Sequence, residues 1–522
     1  MSEKFSLWPG NIRNIEVRSY RYERRLTADI GLLYYYLLNK YTPYFHMEAS
    51  ITLPIWLFSL LLITALLLFL DRILLPGFRW YLRRRVNRVI EEVNTRLDIE
   101  IRPFQLTRKQ ALVDQLVFDD KVVETMKAYA NEHQMPKEVV QTKVFRYANE
   151  IAPSFNAYIY FRVGYWLAKT LGRMLYRVRV GLYDQGELKN IDPNSTVVFV
   201  MNHRSNMDYV LVSFLIAEKT ALSYAVGEWA RIWPLQTLIK SMGAFFVRRN
   251  SRNALYRRVL ERYVNLATRA GVCQAVFLEG GLTRDGLLRE PKQGFLDYML
   301  RDYHADIDRD VVFVPVGINY DRVIEDMSLV RKLDPEASRR SLWFVVKTTV
   351  KFFLKTLFMR REKRRLRFGY ASVNFGNPLS IFQYSQQHAI DLSRMDQSTR
   401  FEHIKKLSQR LMAEITNVVP VLPIALMCEI ILENQSEWLS ELELKTLASQ
   451  RIEQLQALGA PIKLSASACE GVLSGALTML EGRGFTETRN NLFRANPGTL
   501  DILKYYANSI AHWKNQAAPL AN

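Results

Sequence analysis

Between Met174 and Pro378 the chain carries a series of short apolar runs, VRVGLYD, TVVFVM, GAFFVRR, VCQAVFLEGG, VVFVPVGINY and GYASVNFG, separated by windows of helical periodicity. Parallel strands need a long crossover between them, and a helix supplies it, so this alternation predicts an α/β fold over residues 176–380: a largely parallel mixed sheet flanked by helices. Open sheets of this kind bind ligands beyond the carboxyl ends of their strands. The loops that follow these runs are therefore where chemistry is expected.

The flanks read differently. Residues 71–175 are mainly helical in pattern, with apolar positions three and four apart in QALVDQLVFDD and KVVETMKAYANE. Strand runs disappear after Pro378, and segments such as TRFEHIKKLSQRLMAEITNVV predict a helical C-terminal domain over 381–522. After a first segment, 1–50, the stretch Ile51–Leu70 carries no charge. Twenty helical residues at ~1.5 Å each span the ~30 Å hydrocarbon core, which predicts one uncleaved N-terminal transmembrane helix. Arg72, Arg79, Arg83, Arg84, Arg85 and Arg88 follow it at once, so the positive-inside rule puts the C-terminal side in the cytoplasm, against the weaker pull of Arg18, Arg21, Arg24 and Arg25 upstream.

Of the 522 residues, Lys and Arg number 71 against 52 Asp and Glu, a formal charge of +19 that favours an anionic partner. The basic residues gather beside the apolar span and in RRSLWFVVKTTVKFFLKTLFMRREKRRLR (339–367), a distribution that suits phospholipid headgroups rather than nucleic acid. The composition excludes a disordered or collagenous chain and a disulfide scaffold. Three widely separated cysteines, Cys273, Cys428 and Cys469, predict a reducing compartment and no metal site.

In VVFVMNHRSNMD a buried strand runs into a polar turn holding His203 and Asp208. Five residues on a regular helix rotate the side chain by ~140°, so the pair meets only if a turn precedes the helix, capped by Ser205 or Asn206. Asp208 would then fix the imidazole tautomer, leaving the other nitrogen as a general base for a hydroxyl. Arg248 and Arg249, after an apolar strand, suit a phosphate; Glu279 beside Gly280 and Gly281 gives a carboxylate next to closely approachable backbone. Pro315, inside an apolar run, predicts an edge strand or a strand end.

Taken in order, HRSNMDY, GAFFVRR, FLEGGLTRDGLLREPKQG and VPVGINY resemble the four motifs of the glycerol-3-phosphate acyltransferase family. GYASVNFGNPLSI resembles the strand closing that family's catalytic domain, and ILKYYANSIAHW a segment of its helical C-terminal domain. The resemblance implies transfer of a long-chain acyl group from acyl-CoA or acyl carrier protein to the sn-1 hydroxyl of glycerol-3-phosphate, the first step of phospholipid synthesis, without metal or cofactor. It implies His203 as base and Asp208 as its orienting partner, with Arg204, Arg248, Arg249, Glu279, Gly280, Gly281, Arg284 and Pro315 binding substrate. It further implies a single-pass protein of a bacterial inner membrane, with the catalytic domain cytoplasmic and membrane phospholipids as partners. One position departs from the pattern: Leu282 stands where the third motif carries an Arg. Lysophosphatidate, dihydroxyacetone phosphate, a non-phosphorylated alcohol or a non-catalytic lipid-binding role therefore remain alternatives.

Overall fold

The structure is a computed structural model that describes residues 54–69, 101–181, 190–217, 220–227, 230–231, 233–248, 251–333, 367–462 and 466–517. Arg249, the arginine run 72–88 and almost all of the basic stretch 339–367 lie outside the described residues. The chain divides into two compact units, Met1–Arg83 and Arg84–Asn522.

In the first unit, Pro54 starts a helix, Ile55–Phe69, of 15 residues without a charge. Its apolar side chains stand in the open, Ile55 at 85% and Trp56 at 68% exposure. At ~1.5 Å per residue it is shorter than the hydrocarbon core. Among the described residues no single helix is long and apolar enough to cross a membrane; residues 51–53 and 70, at the ends of the expected span, lie outside them.

The second unit is built on an eight-stranded sheet: β1 (Arg177–Val180), β2 (Thr196–Met201), β3 (Ser223–Gly227), β4 (Phe245–Val247), β5 (Gln274–Phe277), β6 (Val311–Tyr320), β7 (Tyr370–Phe375) and β8 (Leu379–Ser380). The order is β1-β7-β6-β2-β5-β3-β4, with β8 also pairing β6. From β6 to β4 all pairs are parallel, and β7 and β8 run antiparallel to β6. Side chains on β2 alternate between two cores, as the period-two pleat requires. Val198 and Val200 pack with Val259 and Val264 of the helix Ala254–Arg269 and with Val140 and Val144 of the helix Lys137–Ile151. Val197, Phe199 and Met201 face the opposite core, which also holds Leu211 and the C-terminal residues Leu426, Leu503 and Tyr506. Burial on both faces is what lets these strands read as continuous apolar runs.

Two expectations are corrected here. Pro315 lies neither on an edge strand nor at a strand end: it sits within the ten residues of β6, between β2 and β7. Its carbonyl accepts from Gly376, just past the end of β7, and β8 pairs only Val312 and Phe313 further back. A proline nitrogen facing that change of partner removes no ladder hydrogen bond. The C-terminal region, though mostly helical, also contains a three-stranded sheet of β9 (Leu439–Ser440), β10 (Thr486–Arg489) and β11 (Leu492–Ala495). Its hairpin turns on Asn490 and Asn491, both at positive φ (51° and 61°), a conformation asparagine tolerates well.

Candidate active site

The carboxyl end of β2 leads straight into the turn that carries His203. Asn202 pins this turn to β6, its side chain donating to the Ile318 carbonyl (2.9 Å) and accepting from the Ile318 N–H (2.8 Å). The helix Met207–Ile216 starts within the turn, and Asp208, in its first turn, faces back toward the imidazole. His203 Nδ1 lies 2.9 Å from Asp208 Oδ2, with His203 2% and Asp208 0% exposed. The expected cap takes another form: Ser205 Oγ accepts from the Met207 N–H, while Ser205 and Asn206 both bond to Glu325 (2.7 and 3.0 Å), whose carboxyl is pushed up by burial.

Asp208 is saturated with donors. Oδ2 accepts from Nδ1–H of His203 and from the backbone N–H groups of Arg204 (2.7 Å) and Ser205 (3.0 Å); Oδ1 accepts from the Tyr320 hydroxyl (2.6 Å). An ionised carboxylate only accepts, so Nδ1 of His203 must carry the proton and Nε2 the lone pair. The ring plane is fixed by Phe277, stacked at 3.9 Å, and by Tyr209, edge-on at 5.7 Å. This arrangement holds His203 in one tautomer and one orientation, as a general base requires.

Glu279, two residues past β5, joins it. Its Oε1 accepts from the His203 backbone N–H (2.9 Å), while Oε2 is buried without a partner among the described residues. Burial pushes its carboxyl up to about 7, against the opposing pull of the His203 N–H and the Arg204 charge. Gly280 takes φ +65°, and a Cβ there would come within 2.7 Å of the Lys292 side chain, so the turn after Glu279 needs a glycine. Thr283 N–H closes the loop onto the His203 carbonyl (3.1 Å).

The structure thus brings together His203, Arg204, Asp208 and Glu279. Gly281 is buried in the same loop, Arg284 points to solvent, and Leu282 packs against the core. Arg248 is elsewhere: β4 stands three strands from β2, roughly 14 Å along the sheet at ~4.8 Å per strand. Its guanidinium is bidentate to Glu150 (2.8 and 2.6 Å), which Arg231 also holds. Pro315 is a buried strand residue that stacks on Gly376. Tyr320 and Glu325 are site residues that sequence reasoning did not assign, although Tyr320 ends the fourth motif. Among the described residues there is no group of three or more His, Cys, Asp or Glu placed to hold a metal ion.

The histidine–aspartate pair, on a turn between a parallel strand and a helix, lies within residues 184–319, which the Acyltransferase family model matches. A second model, the glycerol-3-phosphate acyltransferase C-terminal region, matches residues 354–521. The two matches, side by side along the chain, support the glycerol-3-phosphate acyltransferase family. A curated glycerol-3-phosphate acyltransferase of Xanthomonas campestris is 30% identical over 310 residues, covering 59% of this chain and 34% of that protein. One from Pseudomonas aeruginosa is 27% identical over 316 residues (60% and 36%), and one from Haemophilus ducreyi 24% over 427 residues (78% and 50%). The chain matches half or less of the length of each of these relatives. The crystal structure of the 1-acyl-sn-glycerophosphate (LPA) acyltransferase from Thermotoga maritima aligns with 49% of this chain and 79% of its own, at 16% identity and a TM-score of 0.28.

Proposed function

We propose that this chain transfers a long-chain acyl group from a thioester, acyl-CoA or acyl carrier protein, to the sn-1 hydroxyl of glycerol-3-phosphate. His203 Nε2 takes the hydroxyl proton as the oxygen attacks the thioester carbonyl; the tetrahedral intermediate collapses, the C–S bond breaks, and the imidazolium returns its proton to the thiolate. Asp208 stabilises that imidazolium and holds the tautomer throughout. No electrons change hands in forming an ester and a thiol, so the step calls for no redox cofactor. The observation that carries this reading is the Asp208 carboxylate, saturated by four donors yet aimed at the imidazole.

The charge-free helix Ile55–Phe69, with its exposed apolar side chains, supports a single-pass membrane anchor that keeps the enzyme beside its amphiphilic donor and product, at the cytoplasmic face. Leu282 leaves the acceptor as the part of this reading to test first. Labelled glycerol-3-phosphate, dihydroxyacetone phosphate and lysophosphatidate, each supplied with palmitoyl-CoA or palmitoyl-acyl carrier protein, should give an acylated product with glycerol-3-phosphate at the highest kcat/KM. Acylation of another acceptor in preference to it would replace glycerol-3-phosphate in this account.

A further inference from the structure

Arg204 is one of the largest side chains in the chain's described interior, 2% exposed, and its Nε and Nη2 have no acceptor among the described residues. Burying guanidinium N–H groups without acceptors costs several kcal/mol, by rough estimate, since a charged group is involved. The same situation recurs beside it. Six of the fourteen buried side-chain polar atoms without a partner belong to Arg204, Glu279, Tyr505 and His512. The Arg204 charge reaches both C-terminal side chains, pulling down the Tyr505 hydroxyl against its burial and helping burial push His512 down to about 4.

The C-terminal residues are held against the third-motif loop and the turn after β6 by fitted backbone. Gly286 takes φ +87°, and a Cβ there would lie 1.9 Å from the Tyr505 carbonyl oxygen. Asn508 donates to the Asp285 carbonyl (2.8 Å), and the Tyr506 hydroxyl accepts from the Val323 N–H (3.1 Å). Segments 283–287 and 505–512 thus meet directly, and the Thr283 N–H ties the first of them to the carbonyl of His203, the residue before Arg204.

We propose that Arg204, Tyr505 and His512 form a phosphate subsite shared between the histidine turn and the C-terminal region, and that it holds the phosphate of the acceptor. Nε and Nη2 lie on one edge of the guanidinium and present two parallel N–H bonds, the geometry that grips two phosphate oxygens. The Tyr505 hydroxyl and the N–H of a neutral His512 add donors without adding a charge to be buried. Glu279 Oε2 is left to accept from an acceptor hydroxyl. The acceptor is favoured over the donor because Arg204 adjoins His203 in sequence, whereas the phosphates of acyl-CoA are separated from the thioester by the whole pantetheine arm. Of the other guanidiniums expected to serve, Arg248 is already paired with Glu150, Arg284 points to solvent and Arg249 lies outside the described residues, while Leu282 supplies none. The C-terminal region is then part of the binding site and not an appendage to it.

This inference rests on the acyltransferase reading, and the test separates the two. Tyr505→Phe and His512→Gln in the full chain should each raise KM for glycerol-3-phosphate about tenfold, the loss of roughly 1.4 kcal/mol, with KM for palmitoyl-CoA unchanged. Inorganic phosphate should compete with glycerol-3-phosphate in the wild type and bind more weakly to both variants. A rise in KM for palmitoyl-CoA alone would assign the subsite to the donor and overturn the proposal, as would no change in either KM. Calorimetric binding of glycerol-3-phosphate to His203→Ala keeps the readings apart: binding without transfer is expected. If the wild type binds glycerol-3-phosphate but never acylates it, the acyltransferase reading fails while the subsite stands; if His203→Ala and Tyr505→Phe bind it equally well, the subsite fails.

Discussion

The Tyr320 hydroxyl donates to Asp208 Oδ1 at 2.6 Å, across 112 residues of sequence, so the end of the fourth motif fixes the carboxylate that orients the base of the first. Oδ1 has no other donor among the hydrogen bonds of Asp208, while Oδ2 has three. The two oxygens are thereby assigned, and the carboxylate cannot rotate without breaking bonds in a buried site.

Tyr320→Phe leaves Oδ1 buried and unpaired at a cost of about 1–3 kcal/mol. Part of that falls on the folded state and part on the orientation of His203. We expect a five- to twentyfold drop in kcat with both KM values little changed, read by steady-state kinetics. An unaltered kcat would mean that Oδ2 alone orients the imidazole.

Asp208→Asn keeps the volume and, because two backbone N–H groups hold an oxygen at the Oδ2 position, keeps an acceptor for Nδ1–H, but it removes the negative charge that stabilises the imidazolium. In the serine protease triad the matching change costs ~10⁴ in kcat. A loss of about 10³-fold or more is expected here, with glycerol-3-phosphate binding retained in calorimetry.

Glu279 gives a pH dependence of stability. Its folded-state value of about 7 lies above the ordinary 4.5, so the folded protein binds this proton more tightly than the unfolded chain. The stability it contributes is fully present below 4.5 and is lost as pH rises through about 7. Glu279→Gln keeps an acceptor for the His203 N–H and cannot titrate. Melting temperatures at pH 5.5 and 8.5 should therefore fall more for the wild type than for the variant; parallel curves would show that Glu279 ionises normally.

Gly286→Ala places a methyl group against the Tyr505 carbonyl at a positive φ of 87°. Both the left-handed backbone and the clash oppose it, by about 1–3 kcal/mol for the backbone strain alone. A lower melting temperature and a raised KM for glycerol-3-phosphate are expected together, because the same contact seats Tyr505.

Much of this was legible from residue order. The apolar runs mark every strand of the eight-stranded sheet except β3, whose SYAVG is too poor in β-branched residues to stand out, and the two-residue β8. The His203–Asp208 pairing was legible as a spacing that works only across a turn, and that is what forms. Local pattern says nothing about strand order, so the four motifs read as equivalent until the sheet put β4 three places from β2 and turned Arg248 toward Glu150. Pro315 misled because its missing N–H matters only where a neighbour needs it, and there β7 gives way to β8. Tyr505 and His512 lay in a segment that resembles the family's C-terminal domain, but some three hundred residues separate them from Arg204, and only the folded chain brings them within reach of its charge.

The central claim is that His203 is the base that activates the acceptor hydroxyl. Its most direct measurement is thiol release from palmitoyl-CoA by the detergent-purified protein, with and without glycerol-3-phosphate, for the wild type and His203→Ala. The account predicts release that depends on glycerol-3-phosphate in the wild type and falls to background in the variant while its melting temperature holds. Release by His203→Ala at the wild-type rate would contradict it.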